Sequence, residues 1–305
     1  MSDIKLFKIA GNTVVPLESR SVAIEKSLQG LLETHLEVFL GVRFLKSEYP
    51  TGKTHGGRID TLGLDENDCP IIIEYKRALN ENVINQGLYY LDWLLDHKAE
   101  FTLLVQKHLN PKATEESINW DGARLLCIAG GFTKYDEYAI QQIDRNIELI
   151  RYRRYGNELL ALELVNSSYG GADSSEIGST KSSGRSSEST VTDKLSKANT
   201  DIKDRFESLK AFAQALGDDV RVETLKYYIA FKRIKNFAAV EIHPQDKKII
   251  VFVKADMDMV IVKEGYTRDV RNIGHYGTGD LEITIKNDDD LEQAKSFIVQ
   301  SYEMN

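Results

Sequence analysis

From Ser21 to Phe39 the apolar residues Ile24, Leu28, Leu31, Leu32, Leu36 and Phe39 recur at helical spacing, which predicts an amphipathic helix, and Gly41 follows as a stop signal. The period then changes. VRFLKSEY (42–49) reads as a strand and TGKTHGG (51–57) as a glycine-rich turn. RIDTLGL (58–64), DENDC (65–69) and PIIIEYKRA (70–78) read as strand, turn and strand. Helical spacing returns from Glu81 to Asp96, and the run from Ala99 to Leu109 is apolar without a decided period. ARLLCIAG (123–130) fits a buried strand. A helix is predicted over 134–146, then paired strands over 147–155 and 158–165 around a turn at Gly156–Asn157.

Residues 166–200 break this pattern. They are rich in Ser, Gly, Thr and charge and hold few large apolar side chains, so they cannot bury enough surface to offset their ordering entropy. A flexible linker is expected there, between a domain over 1–165 and another over 201–305. The second domain reads as a helix over 201–216 ended by Gly217, then the strands KYYIAFKR, NFAAVEIH, KKIIVFVKA and DLEITIK (280–286). A last helix over about 289–302 follows NDDD, whose acidic side chains suit a helix N-terminus. An α/β first domain with a small α+β second domain is the expected architecture.

The chain has 305 residues, 42% of them hydrophobic and 28% charged, enough for two cores of ordinary globular type. No apolar run is long enough to span a bilayer, and MSDIKLFKIAGN lacks the apolar core of a signal peptide, so no membrane association and a cytoplasmic location are expected. Two cysteines exclude a disulfide framework or a cysteine zinc site, and Cys127 reads as a small buried hydrophobe. Against 39 basic residues stand 47 acidic ones, a net charge of −8. That balance lacks the basic surplus of a protein gripping phosphate backbone over a wide surface, so a nucleic-acid role has to rest on a local site.

One constellation qualifies. Glu74 and Lys76 are two apart on a strand and leave the same face. If residues 65–69 close a hairpin, Leu64 faces Pro70, and stepping outward along both strands brings Asp60 opposite Glu74. Directly opposed Cβ atoms lie about 4.5–5.5 Å apart. Two carboxylates so placed repel, and one tends to stay protonated. A hard divalent cation resolves the conflict. With a lysine beside it, such an ion suits phosphodiester hydrolysis: the metal acidifies a bound water, and the lysine orients it and offsets developing charge. The plain alternative is an amphipathic hairpin with charges in water. Asp60 among Ile59, Leu62 and Leu64, and the buried-strand run Ile71-Ile72-Ile73 before Glu74, weigh against it.

Gly57-Arg58-Ile59-Asp60, thirteen residues, then Glu74-Tyr75-Lys76 resembles the core of the PD-(D/E)XK nuclease superfamily, with Ile59 where the family name has proline. Gln86 and Tyr90, four apart on the next helix, resemble the QxxxY pair of the RecB-type branch. Residues 20–97 are similar to the nuclease domain of NucS-like (EndoMS-like) endonucleases. The resemblance implies a restriction-endonuclease-like αβββαβ core with a mixed sheet, DNA as the substrate and Mg²⁺ or Mn²⁺ as the cofactor. It also implies roles for Asp60, Glu74, Lys76, Gln86 and Tyr90 in catalysis, and a homodimer as the common assembly. An acid on the preceding helix completes the metal site in such families; Glu25, Glu33 and Glu37 compete here, with Glu25 favoured. Domain order differs from the mismatch endonucleases, so mismatch specificity is not implied. LKYYIAFKRIKNFAAVEI and TRDVRNIGHYGTGDLEITIKN resemble a domain of unknown function that accompanies such nuclease-like domains in bacteria, and it is expected to recognise a substrate feature or a protein partner.

Weaker signals remain. Lys232, Arg233 and Lys235, interleaved with aromatics, fit a nucleic-acid contact or a strand with lysines in solvent. Gly274–Asp280 reads as a structured turn. Arg151 and Arg153 read as a solvated strand face, and Trp93 and Trp120 as core or interface.

Overall fold

The computed structural model describes residues 4–20, 26–76, 83–156, 158–168 and 189–305, and the chain divides into two compact units, Met1–Glu176 and Ile177–Asn305. The first unit opens with β1 (Leu6–Ala10) and β2 (Thr13–Leu17), a separate antiparallel ribbon, and β3 (Ser19–Arg20), which joins the main sheet. Two short helices, α1 (Lys26–Thr34) and α2 (Leu36–Leu40), then stand where one helix is expected. The break falls at His35, and Gly41 ends α2 in the left-handed conformation at φ 65°.

The sheet follows: β4 (Val42–Pro50), a short α3 (Gly52–His55) in place of the expected turn, β5 (Arg58–Asp65) and β6 (Pro70–Lys76). After α4 (Val83–Asp96) comes α5 (Lys98–His108), which settles the undecided run: Phe101 and Val105, four apart, both enter the core. The unit closes with β7 (Arg124–Ala129), α6 (Lys134–Ile140), β8 (Ile147–Tyr155) and β9 (Leu159–Ser168). Helix α6 stops at Ile140, short of the expected 146, and Ile143 packs against the core from the turn that follows.

The main sheet runs β3-β8-β7-β6-β5-β4, with β9 on β8. Strands β4, β5 and β6 pair antiparallel, while β6, β7 and β8 are parallel. Ile71, Ile72 and Ile73 are fully buried, as a central strand covered on both faces requires. The β5–β6 turn is organised by Asp65, whose Oδ1 accepts from the backbone N–H groups of Asn67 and Cys69, both at 2.8 Å. Its Oδ2 pairs with Arg124, whose Nε lies 3.2 Å from Glu148 Oε1, and all three side chains are buried.

The second unit begins inside the segment expected as linker. α7 (Val191–Lys197) starts at a Thr190–Asp193 capping box and buries Val191, and at the other end β9 extends to Ser168. Both expected linker boundaries therefore move inward. α8 (Thr200–Gln214), β10 (Arg221–Thr224), β11 (Ile229–Lys232), β12 (Asn236–His243), β13 (Lys248–Val253), β14 (Thr267–Asp269), β15 (Leu281–Ile285) and α9 (Asp288–Met304) complete it. Its antiparallel sheet has the order β10-β11-β12-β13-β15-β14. Residues 274–279 lie against this sheet: at Gly277, φ 76°, a Cβ would fall 2.4 Å from that of Ala239, and the His275 ring stacks on Phe252 at 4.3 Å. Among the described residues no helix is long and apolar enough to cross a membrane.

Candidate functional site

The β5–β6 ladder has the register the sequence predicts, from Leu64↔Pro70 to Thr61↔Ile73. One step further out, side chains take over from backbone pairing. The Asp60 N–H donates to Glu74 Oε1 at 3.1 Å, and the Tyr75 N–H donates to Asp60 Oδ2 at 3.0 Å. The two acids thus clasp the strands where the ladder opens, at the carboxyl end of β6. Open α/β sheets bind ligands at such strand ends. Glu74 is 1% exposed. Burial, and then the neighbouring Asp60 carboxylate, push its pKa up to about 9, against the opposing pull of the Asp60 N–H. The neutral form of Glu74 is favoured accordingly.

Gln86 and Tyr90 act on the chain next to the acids. Gln86 Nε2 donates to Tyr90 Oη at 3.1 Å, and Tyr90 Oη accepts from the backbone N–H of Arg58 at 3.2 Å. The ring of Tyr90 fills the space a side chain at 57 would need, since a Cβ on Gly57 would lie 2.5 Å from it. The pair therefore fixes the start of β5, two residues before Asp60.

Glu48 is the residue that sequence reasoning missed. On β4 it lies between the pairs Ser47↔Thr61 and Tyr49↔Ile59, across from Asp60. Its φ is 51°, a left-handed conformation uncommon for a side-chain-bearing residue. Its carboxylate adds to the upward push on Glu74 and lies 3.4 Å from Arg58 Nε. The only sequence signal is an acid in a strand-like run; its place depends on the β4–β5 register, which shifts at a bulge between Phe44 and Lys46.

The other candidates divide. Lys76 ends β6, two residues beyond Glu74, with its backbone opposite Ala129 on β7. Glu25 lies outside the described residues. Glu33 accepts from Thr61 Oγ1 at 2.5 Å, on the face of β5 opposite to that of Asp60, and Glu37 is exposed. The basic cluster of the second unit is not a solvent-facing phosphate surface. Lys232 is 2% exposed, with its ammonium 3.8 Å from Glu223. Arg233 is held by Asp219 at 2.7 Å and lies over the Tyr302 ring, and the half-buried Lys235 accepts the Arg233 N–H through its carbonyl. Arg151 is buried and paired with Glu163 at 2.6 Å, not solvated.

Among the described residues no group of three or more His, Cys, Asp or Glu side chains is arranged to hold a metal ion. Asp60 and Glu74 supply two hard oxygen donors, the donor chemistry of Mg²⁺ or Mn²⁺, with waters and a substrate phosphate as the remaining ligands such an ion would take.

Fold and site together define an α/β unit with a mixed sheet and an acid pair at its strand ends, joined to a smaller α+β unit. Residues 191–305 match the model of a family described as "Domain of unknown function (DUF5655)". Along nearly its whole length the chain is similar to a protein of Haemophilus influenzae described as uncharacterized, with 28% identity over 304 residues, 98% of this chain and 99% of the relative. Among solved structures, one titled "Structure of EndoMS-dsDNA2 complex" aligns with 48% of this chain and 64% of its own length, at 14% identity and a TM-score of 0.26.

Proposed function

We propose that the first unit is a nucleic-acid-binding module that keeps a nuclease-type acid pair and has little or no turnover of its own. The observation that carries this reading is that the strands already engage both acids: the Asp60 N–H donates to Glu74 Oε1 and the Tyr75 N–H donates to Asp60 Oδ2. Among the described residues no third His, Cys, Asp or Glu joins the pair in an arrangement that holds a metal ion, and burial beside Asp60 favours the neutral form of Glu74. DNA as the ligand class follows from the resemblance of Gly57–Asp60, Glu74–Lys76, Gln86 and Tyr90 to nucleases. The second unit serves substrate or partner recognition in this reading. The test incubates the full-length protein with labelled DNA in Mg²⁺. Retention of DNA without cleavage is expected; cleavage that disappears in both Asp60→Ala and Lys76→Ala replaces this reading with the one that follows.

A metal-dependent DNA endonuclease, working as a homodimer, is the second reading. It is favoured by the register, which sets Asp60 and Glu74 on adjacent strands with Lys76 two residues on. In it, Asp60, Glu74 and Glu25 hold Mg²⁺ or Mn²⁺, which when bound supplies an acidified water and polarises the phosphoryl oxygens. Lys76 orients the water and offsets developing charge, and Gln86 and Tyr90 fix the strand that carries Asp60.

A further inference from the structure

We propose that Arg58 is the phosphate-contact residue of this site and that Glu48 is its competitor within the chain, holding the guanidinium until a phosphodiester displaces it. The inference rests on the nucleic-acid reading above and names the group that does the holding.

Arg58 and Asp60 are two apart on β5 and share a face. The Arg58 side chain is 67% exposed, so its charge is available to a ligand arriving over the acids. The backbone beneath it is fixed by the Tyr90 hydroxyl, which Gln86 holds in turn, and Gly57 leaves room for the Tyr90 ring. A guanidinium on a fixed strand beside a strand-end site suits phosphate, whose oxygens it grips in a two-pronged fork. Its present partner is a poorer match. Glu48 meets it with Oε2 3.4 Å from Nε, from a backbone in the left-handed region. An exposed pair of this kind is weak.

The competitor also answers the charge problem. In a protein of net charge −8, Arg58, on the strand face that carries Asp60, supplies a local cation for a phosphate. With Glu48 across from Asp60, an anion gains that cation only by outcompeting a carboxylate. Weakly held polyanions are rejected, and a phosphodiester seated by further contacts is accepted.

Fluorescence anisotropy of a labelled single-stranded oligonucleotide and of its duplex, titrated over a salt series, tests this. Arg58→Gln is expected to weaken binding about tenfold and to lower the salt slope by about one phosphate contact. Glu48→Gln is expected to tighten binding several-fold, and the double variant to bind no tighter than Arg58→Gln alone. Tightening by Glu48→Gln that survives without Arg58 would reduce Glu48 to general repulsion and overturn the proposal. So would an Arg58→Gln protein with unchanged affinity and slope, although the nucleic-acid reading would then stand. If the wild-type protein binds neither DNA, that reading falls, and this one with it.

Discussion

A carboxyl group whose proton is held by burial makes folding depend on pH in a definite direction. Glu74 moves from an ordinary value of 4.5 to about 9 on folding, so below pH 4.5 it is neutral in both states and costs nothing. Between those two values the unfolded chain releases the proton and the folded one keeps it. Stability is therefore expected to fall as pH rises through that window, by up to about 1.4 kcal/mol per pH unit from this group alone. Glu74→Gln, neutral throughout, should flatten the dependence and be the more stable protein at the alkaline end; urea unfolding across the window measures both. An unchanged slope in the variant would mean that the acid is not the source. Adding Mg²⁺ separates the two functional readings by the same measurement. A cation bound by the pair would lower the pKa of Glu74 and flatten the wild-type curve, whereas the binding-only reading expects no change. Tyr90→Phe probes the neighbouring contact, since it leaves the Arg58 N–H without its acceptor. A loss of about 1 kcal/mol is expected, read as a lower thermal midpoint.

At the scale of elements, α4 carries Gln86 and Tyr90 and is seated by Gly87, the residue after Gln86. A Cβ on Gly87 would lie 2.4 Å from the Leu125 side chain on β7, so only glycine lets the helix approach this closely. Gly87→Ala gains about 1 kcal/mol of helix propensity and loses about 1–3 kcal/mol to overpacking. A net loss of stability is expected in chemical denaturation, and an unchanged or higher midpoint would mean that α4 shifts without resistance. The same contrast between local and distant constraint decides what was legible beforehand. The β5–β6 hairpin could be read because its turn, its register and its isoleucine run lie within twenty residues, and that alone brought Asp60 opposite Glu74. Glu48 could not, because a bulge in β4 sets which residue faces Asp60, and no periodicity encodes it. Helix α7 was hidden because Val191 and Leu195 are its only large apolar residues within a serine-rich stretch. Strand alternation sends Lys232 to the face opposite Phe231, which looks like solvent in the sequence but is buried beside Glu223 in the fold.

Across the whole molecule, each unit has a main hydrophobic core, the second unit adds a smaller cluster around Ala239 and Phe252, and the two main cores share no residue. One draws its buried members from Leu45 to Leu149, the other from Val191 to Ile298. Independent folding of the two units is the expectation this sets. Arg124 makes this testable from within. It is 3% exposed and lies between Asp65 and Glu148, so its removal leaves two buried carboxylates facing one another without their cation. Loss of one partner from a buried ionic group costs about 3–5 kcal/mol, far more than the group as a whole contributes. Arg124→Leu should accordingly lower the first unit's unfolding transition steeply. If the cores are independent, calorimetry of the full chain should show two transitions, with the second at the temperature found for residues 189–305 alone and unmoved by Arg124→Leu. A second transition that follows the first downward would require contacts that couple the units. The triple variant Asp65→Asn, Glu148→Gln, Arg124→Leu should then recover much of the loss in the first transition, because the penalty lies in the stranded charges and not in the missing arginine.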